Sequence, residues 1–491
     1  MWKAQRNTVA AFGKESLENS RAFVKEPSEP SRTKPHEKPP GMSESSREAK
    51  KEKESRPTML EKIMEILRKY PKISDWTVSE VQNESAEFFF VRDKLDMNRR
   101  TKTTELDLRV FVEFAENGEA YKGDAVAHIG PSHTEEEIRR KIDEAVQSAS
   151  YVKNKTYELS VPEPADSKAL DFSAQARDTI GELCGHADEF MDLVFRDRGG
   201  RAKINSLEVF AVNGLTHFLC SNGVEASYPS GYLMLEPVTD AVGLHEPVEI
   251  FNDLKLKGYE PEKIRSLIER QLEQTEGRAL AEAARRKKNT RVILSGTAVE
   301  DLLFIALQQA TDRMVYRGQS RAKIGERLFS AKAPQSLNIR MNPQLESSVY
   351  DRPVDAEGKI LRPYTLYEDG VVKNLRTQTR FSSYLGIPHI GYISTFECEG
   401  GDKPLASYKT GDYTEIKTFS DFLTNPENGD FGGEFRLAEQ VENGKKTYIS
   451  GGTLSENLFD CQARMVFSAE REARDYSLAP AAIIFDGVDL K

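Results

Sequence analysis

Cysteine is scarce and unpatterned in this 491-residue chain: Cys184, Cys220, Cys398 and Cys461 stand far apart and form no C-x-x-C pair. That excludes a disulfide framework and a zinc ribbon, and leaves free thiols in a reducing compartment as the expectation. Histidine is scarce too, with seven in all. His128 and His133 straddle Gly130-Pro131, which a helix does not tolerate, and His36, His186, His217, His245 and His389 are isolated. His245-Glu246-Pro247 opens like a zinc motif, but the proline breaks it and no second histidine follows. Positive charge is in deficit: the formal net charge is -10, and a general nucleic-acid binder needs a basic face. No apolar run approaches the roughly 20 residues that cross a bilayer, and residues 1–30 lack the apolar core of a secretory signal. A cytoplasmic protein without a membrane or nucleic-acid partner is expected. Gly-x-Ser-x-Gly, the P-loop and Gly-x-Gly-x-x-Gly are also missing, which removes the sequence evidence for a serine hydrolase, an NTPase or a dinucleotide enzyme. No cofactor is expected in the chain.

What is present suits two or three globular domains, with 38% hydrophobic residues. Residues 1–58 are rich in Lys, Arg, Glu, Ser and Pro and too poor in aliphatic residues to offset the entropy of ordering, so a disordered tail is expected. Such a tail reads as a plain solvated arm or the product of an upstream start codon, because Met59 opens the first credible element. Leu60, Ile63, Met64 and Leu67 then stand at helical spacing up to Pro71. In LDLRVFVEF, residues 106–114, apolar and polar side chains alternate as a half-buried strand requires, and Asn117-Gly118 predicts a hairpin turn. Thr134-x-x-Glu137 is a capping box before a helix that buries Ile138, Ile142 and Val146. These elements predict an N-terminal α+β domain over 59–155.

Pro162 and Pro164 mark a linker, and a middle domain is expected over 165–290. Its last helix would bury Ile264, Leu267, Ile268 and Leu272 and carry the basic run Arg285–Lys288 at its solvated C-terminal end. Residues 291–491 open with the strand RVILSG and a helix from about Ser295 to Tyr316. Short β-type runs punctuated by Asp-Gly, Glu-Gly, Asn-Gly and Gly-Gly follow, which predicts mainly antiparallel strands. Asp351, Asp355 and Glu357 lack the spacing of an EF-hand loop and read as a turn at Glu357-Gly358. Asp369-Gly370 reads as a hairpin turn, and Gly451-Gly452 as a bend or close backbone approach. His389 and Cys398 flank a predicted strand, so a Cys-His nucleophile is conceivable, as is one at Cys461.

The order YRGQSRAKIGERLFS, DRPVDAEGKILRPYTLYEDGVVKNL, NPENGDFGGEF and ENGKKTYISGGTLSENL resembles the C-terminal half of the TldD/PmbA (TldE) metalloprotease family. The resemblance implies an α+β fold with an N-terminal α+β domain, a middle segment and a C-terminal β-rich domain. The family's catalytic branch puts His-Glu-x-x-x-His on the 295–316 helix. Anchored on Gly318-Gln319-Ser320, this sequence has Phe304, Ile305 and Gln309 at those positions, and RDYSLAP (474–480) has no cysteine where the family's remaining ligand lies. The chain thus resembles the metal-free PmbA/TldE branch, with no catalytic, cofactor-binding or metal-ligating residue of its own and inactive alone. The resemblance implies a heterodimer with a TldD-like zinc-bearing homologue, the zinc held in that partner, and cleavage of unfolded or short extended peptides, including peptide maturation. A stand-alone, non-enzymatic peptide-binding or regulatory protein is the alternative.

Overall fold

The computed structural model describes residues 59–159, 170–244, 246–330 and 333–491. The predicted tail, the prolines at 162 and 164 and His245 lie outside them. The first apolar stripe forms α1 (Met59–Leu67), which buries Ile63, Ile66 and Leu67. Two long strands follow, β1 (Asp75–Val91) and β2 (Lys94–Glu116), and then β3 (Glu119–Ile129). Asn117 and Gly118 turn β2 into β3 with φ of 53° and 84°, the left-handed pair that a two-residue hairpin of matching twist needs. Leu106, Leu108, Val110 and Val112 of β2 are buried under α1 and α2 (Glu135–Ala149). Phe111, on the opposite face, is buried by Tyr157 and Leu159. The capping box forms as predicted: the Glu137 amide donates to Thr134 Oγ1 at 3.3 Å, and the Thr134 amide donates to Glu137 Oε2 at 2.8 Å.

Two short helices, α3 (Thr179–Gly185) and α4 (Ala187–Phe195), lead into β4 (Lys203–Cys220), β5 (Glu225–Pro229), β6 (Tyr232–Val242), β7 (Pro247–Phe251) and β8 (Leu254–Leu256). β4 pairs antiparallel with β1 along most of its length, so one eight-stranded sheet runs β3-β2-β1-β4-β6-β7, with β5 on β4 and β8 on β6. Strands from the 59–155 and 165–290 stretches therefore share a sheet. α5 (Pro261–Ala279) covers it with Ile264 and Ile268 fully buried, and α3 and α4 add Leu183, Phe190 and Leu193 to the same core. α5 ends earlier than its sequence suggests. Glu282–Ala283 pairs with Ile449–Ser450, which draws the chain out of the helix, and Lys287 already lies in the strand Lys287–Ser295. The basic run is thus the approach to a strand, not a helix end.

Strand Lys287–Ser295 sits inside a nine-stranded sheet, parallel to Tyr413–Phe419 and antiparallel to Ala482–Leu490. A six-stranded sheet includes Ile339–Met341, Tyr364–Glu368, Phe396–Cys398 and Ser477–Pro480. Residues of both sheets and of the helix after Ser295 share one apolar core. Asp369-Gly370 makes the predicted hairpin with φ of 49° and 74°. Gly451 has φ +81°, and a Cβ on Gly452 would come 2.3 Å from Phe435 Cζ, so both readings of that pair hold. The architecture is mixed α and β with mostly antiparallel sheets, as expected.

Candidate functional site

The helix after Ser295 is α6 (Thr297–Gln309), and it stops where the sequence pattern would continue. The Arg376 amide donates to the Ala310 carbonyl at 2.7 Å, and the Asp312 amide donates to the Arg376 carbonyl at 3.1 Å. A crossing segment thus takes the groups that the next turn would use. Thr311 then caps α7 (Asp312–Tyr316) through the Met314 amide. Leu302, Leu303, Ala306, Leu307 and Ala310 form an apolar packing face and are buried, while Met314 is half-buried.

The three positions singled out on α6 have three different fates. Phe304 is 43% exposed, whereas Ile305 and Gln309 are fully buried. Gln309 ties two loops together. Its Oε1 accepts from the Arg321 amide at 2.8 Å and lies 3.1 Å from Ser320 Oγ, and its Nε2 donates to the Pro426 carbonyl. The Ser320 hydroxyl donates to the Gln309 carbonyl at 2.6 Å, and Gln319 Nε2 donates to Glu427 Oε1. Gly318-Gln319-Ser320 and NPENG are therefore held against the end of α6 by one amide side chain.

Arg474–Pro480 lies against the first half of α6. Arg474 donates to the carbonyls of Gly296 (2.9 Å), Pro480 (3.2 Å) and Ala481 (3.2 Å). Glu300 Oε1 accepts from the Ser477 hydroxyl at 2.6 Å and the Tyr476 amide at 3.1 Å. Burial raises the Glu300 carboxyl against the pull of these two bonds, and burial alone raises Asp301. Zinc does not fit the residues here. Phe304 and Ile305 offer no lone pair, the Gln309 oxygen is already engaged, and the segment at the cysteine position turns a hydroxyl toward a carboxylate. Among the described residues, no group of three or more His, Cys, Asp or Glu is arranged to hold a metal ion.

The nucleophile candidates are not set up for attack. Cys398 is fully buried in its strand and its thiol is pushed up to about 12, chiefly by burial. His389 instead faces Asp355, 3.3 Å away, and Thr379, 3.2 Å away. Cys461 is buried, and its thiol is likewise pushed up to about 12. Asp355 Oδ1 accepts from the amides of Glu357 (2.9 Å) and Lys359 (3.0 Å) around Gly358 at φ +85°, which is the predicted turn. Glu357 Oε2 caps the Thr379 amide at 2.7 Å, and Asp351 pairs with Lys257 at 2.8 Å. His128 pairs with Asp107, His133 accepts from the Gly130 amide, and His186 stacks on Tyr259.

Sequence reasoning missed Asp312, a fully buried acid at the first position of α7. Its Oδ2 accepts from the Gln378 amide at 2.7 Å, while Oδ1 has no hydrogen-bond partner among the described residues. Burial pushes its carboxyl up to about 6. The only signal in the sequence is an acid that interrupts an apolar helical pattern. Also unforeseen is a set of exposed apolar side chains on and beside α6. Phe304 lies on the helix, Leu423 and Tyr476 lie on or next to the strands packed against it, and Tyr316 lies on α7.

Residues 287–491 match the PmbA/TldA metallopeptidase C-terminal domain. The fold is that of TldE from Thermococcus kodakarensis, with a TM-score of 0.70 at 15% identity over 87% of this chain and 99% of that one. Two candidate modulators of DNA gyrase share it. The one from Thermotoga maritima has a TM-score of 0.67 at 14% identity over 88% and 100% of the two chains. The one from Bacteroides thetaiotaomicron has 0.68 at 18% identity over 87% and 97%. A search of curated proteins by sequence finds no match.

Proposed function

We propose, from the premise that this chain belongs to the TldD/PmbA (TldE) family, that it is the non-catalytic subunit of a heterodimeric zinc metalloprotease. In this reading a TldD-like homologue carries the zinc and cuts unfolded or short peptides. This chain closes the chamber and helps hold the substrate extended. Gln309 carries the proposal. At the position of a ligand imidazole stands an amide whose donor and acceptor are both committed to fixing neighbouring loops, so the helix is built as a frame. Exposed Phe304, Tyr316, Leu423 and Tyr476, on and beside α6, support a protein partner in this region, because large aromatic and apolar side chains are enriched where partners dock.

The chain's own residues would bind and orient substrate but move no proton at the scissile bond. Zinc, bound in the partner, would supply a polarised water there. A cytoplasmic setting agrees with free cysteines. Co-expression with a homologue that has the intact His-Glu-x-x-x-His motif, followed by mass photometry and metal analysis, tests this. The expected result is a one-to-one complex that holds zinc and cleaves unfolded peptides, with this chain alone metal-free and inactive. A stable homo-oligomer that ignores the homologue would overturn it.

A further inference from the structure

A cavity of about 620 Å³ opens over one face of the eight-stranded sheet, roofed by residues 173–179 and 348–351. Its volume falls within the roughly 300–1,000 Å³ of small-ligand sites. Its floor is a pair of rows running across the strands. Lys102, Glu84 and Asn213 are register neighbours on β2, β1 and β4, and Gln82, Leu215 and Pro229 are neighbours on β1, β4 and β5. Four strands at about 4.8 Å spacing make this floor roughly 14 Å wide, the length of about four extended residues at 3.3 Å each.

Most charge on the wall is already answered. Glu84 is bonded to Arg100, Asp178 to Asn213 and the Gly181 amide, Asp351 to Lys257, and Arg177 to both oxygens of Glu182. Lys102 is the exception: its ammonium has no partner among the described residues. The remaining open groups are neutral. Gln82 and Gln175 each give one N–H to a neighbour and keep an amide oxygen, and the Ser227 hydroxyl makes no bond to a described residue. Tyr228 is the single aromatic residue among the described lining residues, so no pair of rings is available to sandwich a planar ligand. Neutral donors and acceptors spaced over about 14 Å, ending in one free cation, match the alternating amides of an extended peptide that carries a carboxylate.

We propose that this cavity binds an extended stretch of about four residues of acidic polypeptide, laid across the strands with its carboxylate on Lys102. The inference rests on reading the chain as a handler of extended peptides, but it assigns binding to this chain by itself, with no metal taking part. Fluorescence anisotropy on the full chain, without partner or metal, tests it with three fluorescein-labelled hexapeptides of Gly, Ser and Ala. One ends in a free carboxylate, one is amidated, and one is amidated with an internal Glu. The amidated neutral peptide should bind weakest. Preference for the first or the third decides whether a terminus or a side chain is recognised. Lys102→Glu should weaken the better binder by about tenfold and favour a Lys-containing peptide instead. Ser227→Trp, at an exposed position, should block all three, and unchanged thermal melts show that both variants fold. Absence of binding, or binding indifferent to both substitutions, overturns the site. A complex with the zinc-bearing homologue that cleaves peptides while binding here fails would sink this inference alone. Peptide binding without any complex would sink only the subunit reading.

Discussion

Asp312→Asn tests the electrostatics of the break between α6 and α7. Asp312 is fully buried, one carboxylate oxygen accepts a single amide at 2.7 Å, and burial raises the group from 3.8 to about 6. For an acid whose folded pKa lies above its unfolded value, the fold bears no penalty below the unfolded pKa and loses stability as pH rises toward and through the folded one. About two pKa units at 1.36 kcal/mol each set the full loss at about 3 kcal/mol, reached above pH 6. Asparagine has nearly the same shape and does not ionise, so it removes the pH-dependent loss. Its amide also places a buried donor where Oδ1 has no partner, at a cost of about 1–3 kcal/mol that does not vary with pH. The variant is therefore judged on the slope of the difference and not on its value at one pH. In urea denaturation at pH 4 to 7, the stability of Asp312→Asn relative to the parent should rise by about 2–3 kcal/mol, mostly between pH 4 and 6. A difference that stays flat over that range would show that Asp312 titrates as in the unfolded chain and would refute the reasoning.

Three further substitutions probe the frame. Gln309→Ala should cost about 2–4 kcal/mol in chemical denaturation, because it strands the Arg321 amide and the Pro426 carbonyl; a loss below about 0.5 kcal/mol would remove Gln309 from its place as a tie. Gly370→Ala and Gly118→Ala ask for the same left-handed backbone, but only the first brings a Cβ within 2.7 Å of a backbone oxygen, that of Phe329. Gly118→Ala should cost about 1 kcal/mol and Gly370→Ala about 1–3 kcal/mol more, and equal losses by thermal melts would contradict the contact argument. Arg474→Lys keeps the charge but not the planar fork that reaches four carbonyls, those of Gly296, Glu472, Pro480 and Ala481, so a loss of about 2–3 kcal/mol is expected, and a melt identical to the parent's would show that a point charge suffices.

Features written locally were legible in the sequence. The α1 stripe, the Thr134 capping box and the turns at Asn117-Gly118, Glu357-Gly358 and Asp369-Gly370 each depend on a few consecutive residues, and each took its predicted form. The end of α6 was not legible, because Arg376, far along the chain, supplies the competing hydrogen bonds. The end of α5 was hidden for the same reason, since a distant strand takes up Glu282–Ala283. At the site, residue types at Phe304, Ile305 and Gln309 gave the change in chemistry. That Gln309 would bridge two loops, and that Asp312 would sit in the interior half-satisfied, required the positions of Pro426, Arg321 and Gln378. The pairing of β1 with β4 has no local signal, and the cavity over those strands was invisible with it.

That pairing has a consequence for synthesis. Thr77 meets Cys220, about 140 residues later, so β1 emerges with one long edge open and with Phe88, Phe89 and Phe90 in a row near its end. At about 5–20 residues per second, that edge waits roughly 7 to 28 seconds for its mate to be translated. For that interval the nascent chain presents an unpaired, aromatic-rich strand to its neighbours on the polysome, and its vulnerability to aggregation is governed by translation speed more than by the stability of the finished fold.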